Sequence, residues 1–376
     1  MSTLEEQLQS EFENIEEILP RLVRPKMQRN FKSKMPQPTI LPGPSPQVTL
    51  AKDKQKMSNT EAAETRRVVD NLLNQLSTGE EYLDLLEYLI ANRECCVDKE
   101  FPPKELSLYP PDLKKKYPYL QNLVWTRPKS IYPFPHLFHS DPSPLDLRQG
   151  DLGNCYFLGC LSALLDTSPE FITNLFISPY TNSNLKAYND WLQYGAFCTR
   201  LCIRGSWKEI ITDDYFPCFK SEVFPAFTRG MSQELWMMVL EKSYAKIYKG
   251  YWNIEDGLVS DCFGDLTGAP VESLERGDEG LWGKILEGGE MGWVMSCCGR
   301  FPGGEEGGEL GLEGDRPYTL MGAFEWGRGG EAVGVVILRW PWGKAEWKGD
   351  FGVGSEKLSE EFLEQVESLL GEGGMP

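Results

Sequence analysis

Gln149-Gly-Asp-Leu-Gly-Asn-Cys155-Tyr-Phe-Leu-Gly-Cys-Leu161 changes character at its seventh residue. Up to Asn154 the segment is turn chemistry. From Cys155 it carries apolar residues at helical spacing, with Phe157, Leu158, Leu161, Leu164 and Leu165 on one face. Cys155 is thereby delivered to the first turn of a helix, where unpaired N–H groups and a partial positive charge favour a thiolate. Gln149 offers an amide that can join a backbone N–H in stabilising an oxyanion. A buried cysteine in an amphipathic helix behind a glycine loop fits the same spacing. On these residues alone both readings stand.

The surrounding composition narrows the class. At 376 residues the chain has room for two or three compact units, and 41% hydrophobic and 12% aromatic content are ordinary for a globular protein. No run approaches the roughly 20 apolar residues of a membrane span. The N-terminus MSTLEEQLQSEFENIEEILP is acidic and amphipathic, unlike a signal peptide, so a cytoplasmic protein is expected. A net charge of −18 argues against nucleic acid as partner and leaves room for a divalent cation. The ten cysteines fall singly or as neighbours (Cys95–Cys96, Cys297–Cys298), with neither CxxC nor zinc-type spacing. They are expected to be reduced, nine of them serving as small buried apolar residues.

Along the chain, residues 1–23 read as an amphipathic helix, 24–59 as a disordered Pro-rich linker and 60–95 as a second helical segment. The two helical pieces can cap the main domain or bind a partner, and capping is the favoured reading. A well-packed mixed region follows. It holds the helix from Cys155, two strand-like stretches around a Gly205–Ser206 turn, and a helix from about 232 to 248 burying Trp236, Val239, Leu240, Tyr244 and Ile247. Beyond it, strand-like runs at 293–298, 318–326 and 333–340 between Gly/Glu-rich turns predict a mainly antiparallel sheet. Glycine is far more frequent there, and no Asn or His follows Asn253. Folding gives no reason for that shift. Relaxed selection, mutational bias or a gene-model error would each produce it.

The segment around Cys155 resembles the nucleophile motif of the calpain family, QGxLGxCWxLxAxxxL, nearly throughout. The context is similar in order and distance: Phe101-Pro102-Pro103, Trp125-Thr-Arg127-Pro128, Gly205-Ser-Trp207 with Asp213-Asp214 and Pro217, Glu234-Leu-Trp236 with LEKSYAKIYKGYW, and Leu266-Thr-Gly268. The resemblance implies an α+β, papain-like fold. A helical subdomain carrying Cys155 (residues 96–268) would pack on a mainly antiparallel sheet subdomain (269–376). It also implies calcium-dependent cysteine endopeptidase chemistry on a protein or peptide substrate. Cys155 would be the nucleophile and Gln149 the oxyanion donor, while a His serves as base and acid and an Asn orients it.

Two motifs depart from that pattern. Where the family has GHAYS/T this chain has Gly314-Asp315-Arg316-Pro317-Tyr318-Thr319, so Arg316 holds the His position. Where the family has RNPWG it has Arg339-Trp340-Pro341-Trp342-Gly343, so Trp340 holds the Asn position. The two histidines, His136 and His139, both precede Cys155. Arginine stays protonated near neutral pH and cannot act as a general base. The resemblance therefore points to an inactive or nearly inactive homologue. The alternatives are an active protease, if the second half is mis-assembled, or a binding module.

The same resemblance implies calcium in each subdomain. In the first, the carboxylate positions fall on Asp146 and Glu234, which suit a hard cation and serve equally as local caps. In the second, Glu346 sits at one position, and Val353 takes the next with Asp350 nearby. No EF-hand loop occurs, so an EF-hand small subunit is not an expected partner.

Overall fold

The computed structural model describes residues 79–113, 115–116, 118–139, 141–177, 192–221, 223–299, 310–327, 332–341 and 347–370. The expected helix of 1–23, the linker of 24–59, residues 60–78 and Glu346 lie outside them.

The first group of elements comprises α1 (Glu80–Asn92), β1 (Leu123–Thr126), α2 (Cys155–Thr167), α3 (Pro169–Asn174), β2 (Ala196–Ile203) and β3 (Ser206–Asp213). It continues with β4 (Phe216–Phe219), β5 (Phe224–Pro225), α4 (Trp236–Ile247) and α5 (Val259–Thr267). The second group is α6 (Leu281–Met291), β6 (Ser296–Cys298), β7 (Pro317–Trp326), β8 (Val333–Arg339) and α7 (Glu360–Leu370). The strands form antiparallel sheets β1-β4-β5, β2-β3 and β6-β7-β8. The architecture is the expected α+β arrangement, with the helical part that carries Cys155 packed on an antiparallel sheet.

α2 differs from its expected one-sided burial. Tyr156 through Leu165 are all buried, so this helix is the central strut rather than a surface element. α3, α5 and β7 all pack against it. In α1, Tyr82, Leu86 and Leu89 face the core as their spacing predicts, and Leu85 is half-buried. The tight turn between β2 and β3 sits one residue earlier than expected. Ile203 pairs with Ser206, and Arg204 and Gly205 both take positive φ (55° and 76°), the backbone of a two-residue hairpin. α4 starts at Trp236 rather than near 232, after Gln233 turns left-handed (φ 63°).

The second half holds two helices besides its sheet, α6 and α7. Gly283, Gly288 and Gly289 dilute the apolar periodicity of α6. α7 sets Phe362 against Phe324, Trp326 and Phe351. The cysteine expectation also needs correction. All ten are free, and Cys96, Cys160, Cys198, Cys202, Cys218 and Cys262 are buried. Cys95 and Cys298 are exposed, however, and Cys297 is half-buried on the edge strand β6.

One face of α2 docks the two halves together. A side chain on Gly159 would meet the Pro317 ring at 2.7 Å. One turn on, Thr319 Oγ1 lies 3.1 Å from Ser162 Oγ, and at the helix end Arg339 Nε lies 3.0 Å from Asp166 Oδ1. Gly159, Ser162 and Asp166 share that face by helical spacing. The ion pair is close but poorly aligned, and the other Asp166 oxygen has no hydrogen-bond partner.

Burial pushes the Asp166 carboxyl up to about 6, with Arg339 pulling the other way. Between its ordinary value near 4 and that point, the folded chain keeps a proton that the unfolded chain has released. Stability therefore falls as pH rises through this window, by on the order of 2 to 3 kcal/mol, and levels off above it. Thermal melts from pH 4 to 7 check this. Asp166→Asn is expected to gain on the parent chain as pH rises, and a constant difference between the two contradicts the assignment.

Candidate active site

Cys155 is the first residue of α2 and is half-buried. Asn154 precedes it as N-cap, and its carbonyl accepts the N–H groups of Phe157 and Leu158 at 3.0 and 3.3 Å. The loop in front is pressed against residues 226–229. Asp151 N donates to Ala226 O at 2.8 Å, and Arg148 and Arg229 exchange backbone hydrogen bonds of 3.0 Å. Gly150 is required there, because a Cβ would sit 2.2 Å from Ala226 O and 2.4 Å from Phe227 O. Gln149 donates from Nε2 to Leu152 O at 2.8 Å, which uses one of its two amide hydrogens.

β7 runs alongside α2 from the Pro317–Gly159 contact to the Thr319–Ser162 contact. Arg316 immediately precedes Pro317, whose ring packs on Gly159 one turn after Cys155. Its side chain is 42% exposed, with Nε 3.9 Å from the Glu313 carboxylate. The pairing of Thr319 with Arg339 sets Trp340 opposite Tyr318, and their rings pack with centroids 4.7 Å apart. The Gln149 loop leads directly into Cys155 at the head of α2, position 316 stands just before β7, and position 340 stands just past the end of β8.

His136 and His139 lie with Glu234 at the approach to α4. Their rings are 5.4 Å apart, and His136 forms a backbone bridge with Glu234. Glu234 is 1% exposed. One carboxylate oxygen accepts the His139 N–H at 2.8 Å, and the other has no hydrogen-bond partner. It does not cap α4, whose N-cap is Leu235. Asp146 does act locally, closing a capping box with Ser143 (Ser143 N to Oδ2, 3.0 Å). In the second half Asp350 pairs with Lys357 at 2.6 Å and Val353 is 84% exposed. Among the described residues no group of three or more His, Cys, Asp and Glu side chains gathers at metal-binding spacing.

Several buried polar residues behind the site escaped the sequence reading. Lys242 is fully buried and donates to the Asp213 carboxylate, to Asp213 O (3.1 Å) and to Tyr215 O (2.6 Å). The second Asp213 oxygen accepts Asp98 N at 2.7 Å. Lys246 reaches Asp98 at 2.8 Å, and Arg127 pairs with Asp214 while lying over the Tyr215 ring. Glu241, next to Lys242, accepts from Asn154 and Thr228, and burial pushes its carboxyl up to about 7 against those hydrogen bonds. A signal for both was present. Glu241 and Lys242 interrupt a run of core residues on one helix, and Asp213-Asp214 ends a buried strand.

Residues 96–369 match the calpain family cysteine protease profile. The chain is 30% identical to the calpain-type cysteine protease DEK1 of Zea mays over 70% of its own length and 12% of that protein's. It is 29% identical to human calpain-14 (73% of this chain, 38% of the relative) and 28% identical to the rat calpain-1 catalytic subunit (72% and 37%). It spans well under half the length of each.

Proposed function

Because the chain belongs to the calpain family of cysteine proteases, we propose that it is a calpain-type endopeptidase homologue that holds protein or peptide segments in its cleft and cleaves them poorly or not at all. The observation that carries this is that Cys155 heads the buried helix α2 while Arg316, at the position where the family has its His, stands just before β7, which packs on that helix. In the family reaction the thiolate attacks the peptide carbonyl, and the Cys155 N–H and the Gln149 amide steady the oxyanion. The leaving amine then needs a proton. Arg316 can hold a thiolate by charge but cannot pass a proton back and forth. Trp340, packed at a tilt against Tyr318, cannot orient a base. The result is a cleft that binds without turning over. A border between the subdomains near Gly268, where α5 ends left-handed (φ 66°), belongs to the same reading. So does an intracellular setting with reduced thiols. No helix among the described residues is long and apolar enough to cross a membrane.

Unfolded casein, incubated with and without millimolar calcium, tests the reading. Release of new N-termini is expected to match that of Cys155→Ala. Calcium-dependent cleavage lost in that variant contradicts it.

Calcium at Asp146 and Glu234 is part of the proposal. The unpartnered, buried oxygen of Glu234 is the kind of group a hard cation satisfies, with backbone carbonyls completing the shell. A ligand that binds only the folded state stabilises it, by about 2.7 kcal/mol at a hundredfold excess over its dissociation constant. Calcium is therefore expected to raise the melting temperature of the parent chain and not that of Glu234→Gln. An equal rise in both places the ion elsewhere.

A further inference from the structure

Asn154 stands at the N-cap of α2 yet its side chain does not cap the helix. Asparagine is among the best capping residues, because its oxygen can take the N–H of the second or third helical residue. Here the amide turns away, and Nδ2 donates to Glu241 Oε1 at 2.6 Å. Glu241 lies within α4 and is 2% exposed. The same carboxylate accepts the Thr228 N–H at 3.3 Å to each oxygen, and the Thr228 hydroxyl as well. Thr228 belongs to the segment that backs the Gln149 loop through Ala226 and Arg229, and Arg229 Nη1 also reaches Gln149 O at 3.3 Å. One buried carboxylate thus ties the residue before Cys155 to the support of Gln149.

We propose that Glu241 is a positioning residue for the oxyanion pocket. It holds the Asn154 amide off the N–H groups beside Cys155, and it fixes the segment on which the Gln149 loop rests. The inference depends on Cys155 being the nucleophile. Without Glu241, the Asn154 side chain is free to fold back and cap α2 through a first-turn N–H, leaving fewer first-turn donors for a thiolate at Cys155. A thiolate at a helix N-terminus loses stabilisation when those donors are diverted. Glu241 also acts through space, and there the sign is opposite, because removing a negative charge favours a nearby thiolate. The two effects are therefore separable.

The test is the pH profile of Cys155 alkylation by iodoacetamide in the full chain. It is followed by peptide mapping, with exposed Cys95 as internal standard. Glu241→Met releases Asn154 and removes the charge. Glu241→Gln removes the charge but can still hold the Asn154 amide, whose Oδ1 is buried and without a partner. The Met variant is expected to raise the profile midpoint by about half a unit, slowing alkylation at pH 7 about threefold, while Gln does not. If the Met variant fails to fold, Asn154→Ser offers a capping oxygen on a side chain too short to reach Glu241, and the same rise is expected. Equal lowering by Met and Gln, or no change in Asn154→Ser, overturns the positioning role. A parent-chain Cys155 that alkylates like Cys95 overturns the nucleophile reading instead, so the two failures are distinguishable.

Discussion

Replacing both departures at once, Arg316→His with Trp340→Asn, is expected to raise Cys155-dependent cleavage of unfolded casein by on the order of 10³ or more over the parent chain. Pro317 packs on Gly159 and Thr319 on Ser162, which fixes β7 along α2, and the proposed function sets position 316, just before β7, toward the Cys155 end of that helix. Position 340, just past the end of β8, packs against Tyr318, and in the proposed function an Asn there orients the ring at 316. Residues of this kind act as a unit, and an unoriented imidazole loses most of its effect. Either substitution alone is accordingly expected to recover little. New N-termini counted by mass spectrometry, with Cys155→Ala in each background, decide the matter. A double variant no faster than its parent contradicts the placement of these two positions.

Lys242→Met is expected to destabilise the chain by about 3 to 5 kcal/mol, because it strands a buried carboxylate without its counter-charge. Both Lys242 and Asp213 have fully buried side chains, and the ammonium also closes the carbonyls of Asp213 and Tyr215. Together with Lys246 and Asp98 this cluster ties the segment near residue 98, the end of β3 and the middle of α4. Removing both charges, as Lys242→Met with Asp213→Asn, is expected to cost less than the single change, since no bare charge remains. Urea unfolding measures the difference. A single variant within about 1 kcal/mol of its parent contradicts the cluster's role, being the size of an ordinary surface change.

The Cys155 end of the candidate site was legible because local rules write it. A glycine turn, then Cys155, then apolar residues at helical spacing predict a helix N-terminus, and α2 begins at Cys155. The sheet strands β7 and β8 were legible within a residue or so, because their apolar runs stand between glycine-rich turns. What escaped was set by tertiary partners. That α2 is buried on all sides follows from β7 lying across it, which no period in its own sequence records. The glycines of α6 concealed a helix held by its surroundings. The role of Glu241 required knowing that Asn154 and Thr228, 74 positions apart in sequence, face one carboxylate. Asp213 and Lys242 stood in motifs already noted, yet their union needed the fold to bring a strand end against a helix.

Alkylation and turnover measured on one sample separate a reactive Cys155 without a base from a working protease. The chain is incubated with casein and millimolar calcium, and Cys155 alkylation is read beside peptide-bond cleavage, with Cys155→Ala as reference. Cys155 is expected to alkylate faster than exposed Cys95 while cleavage stays at the level of the Cys155→Ala variant. Cleavage well above that level, abolished by the substitution, would mean that a general base reaches Cys155 in this chain, and the account of a nucleophile without its base would be wrong.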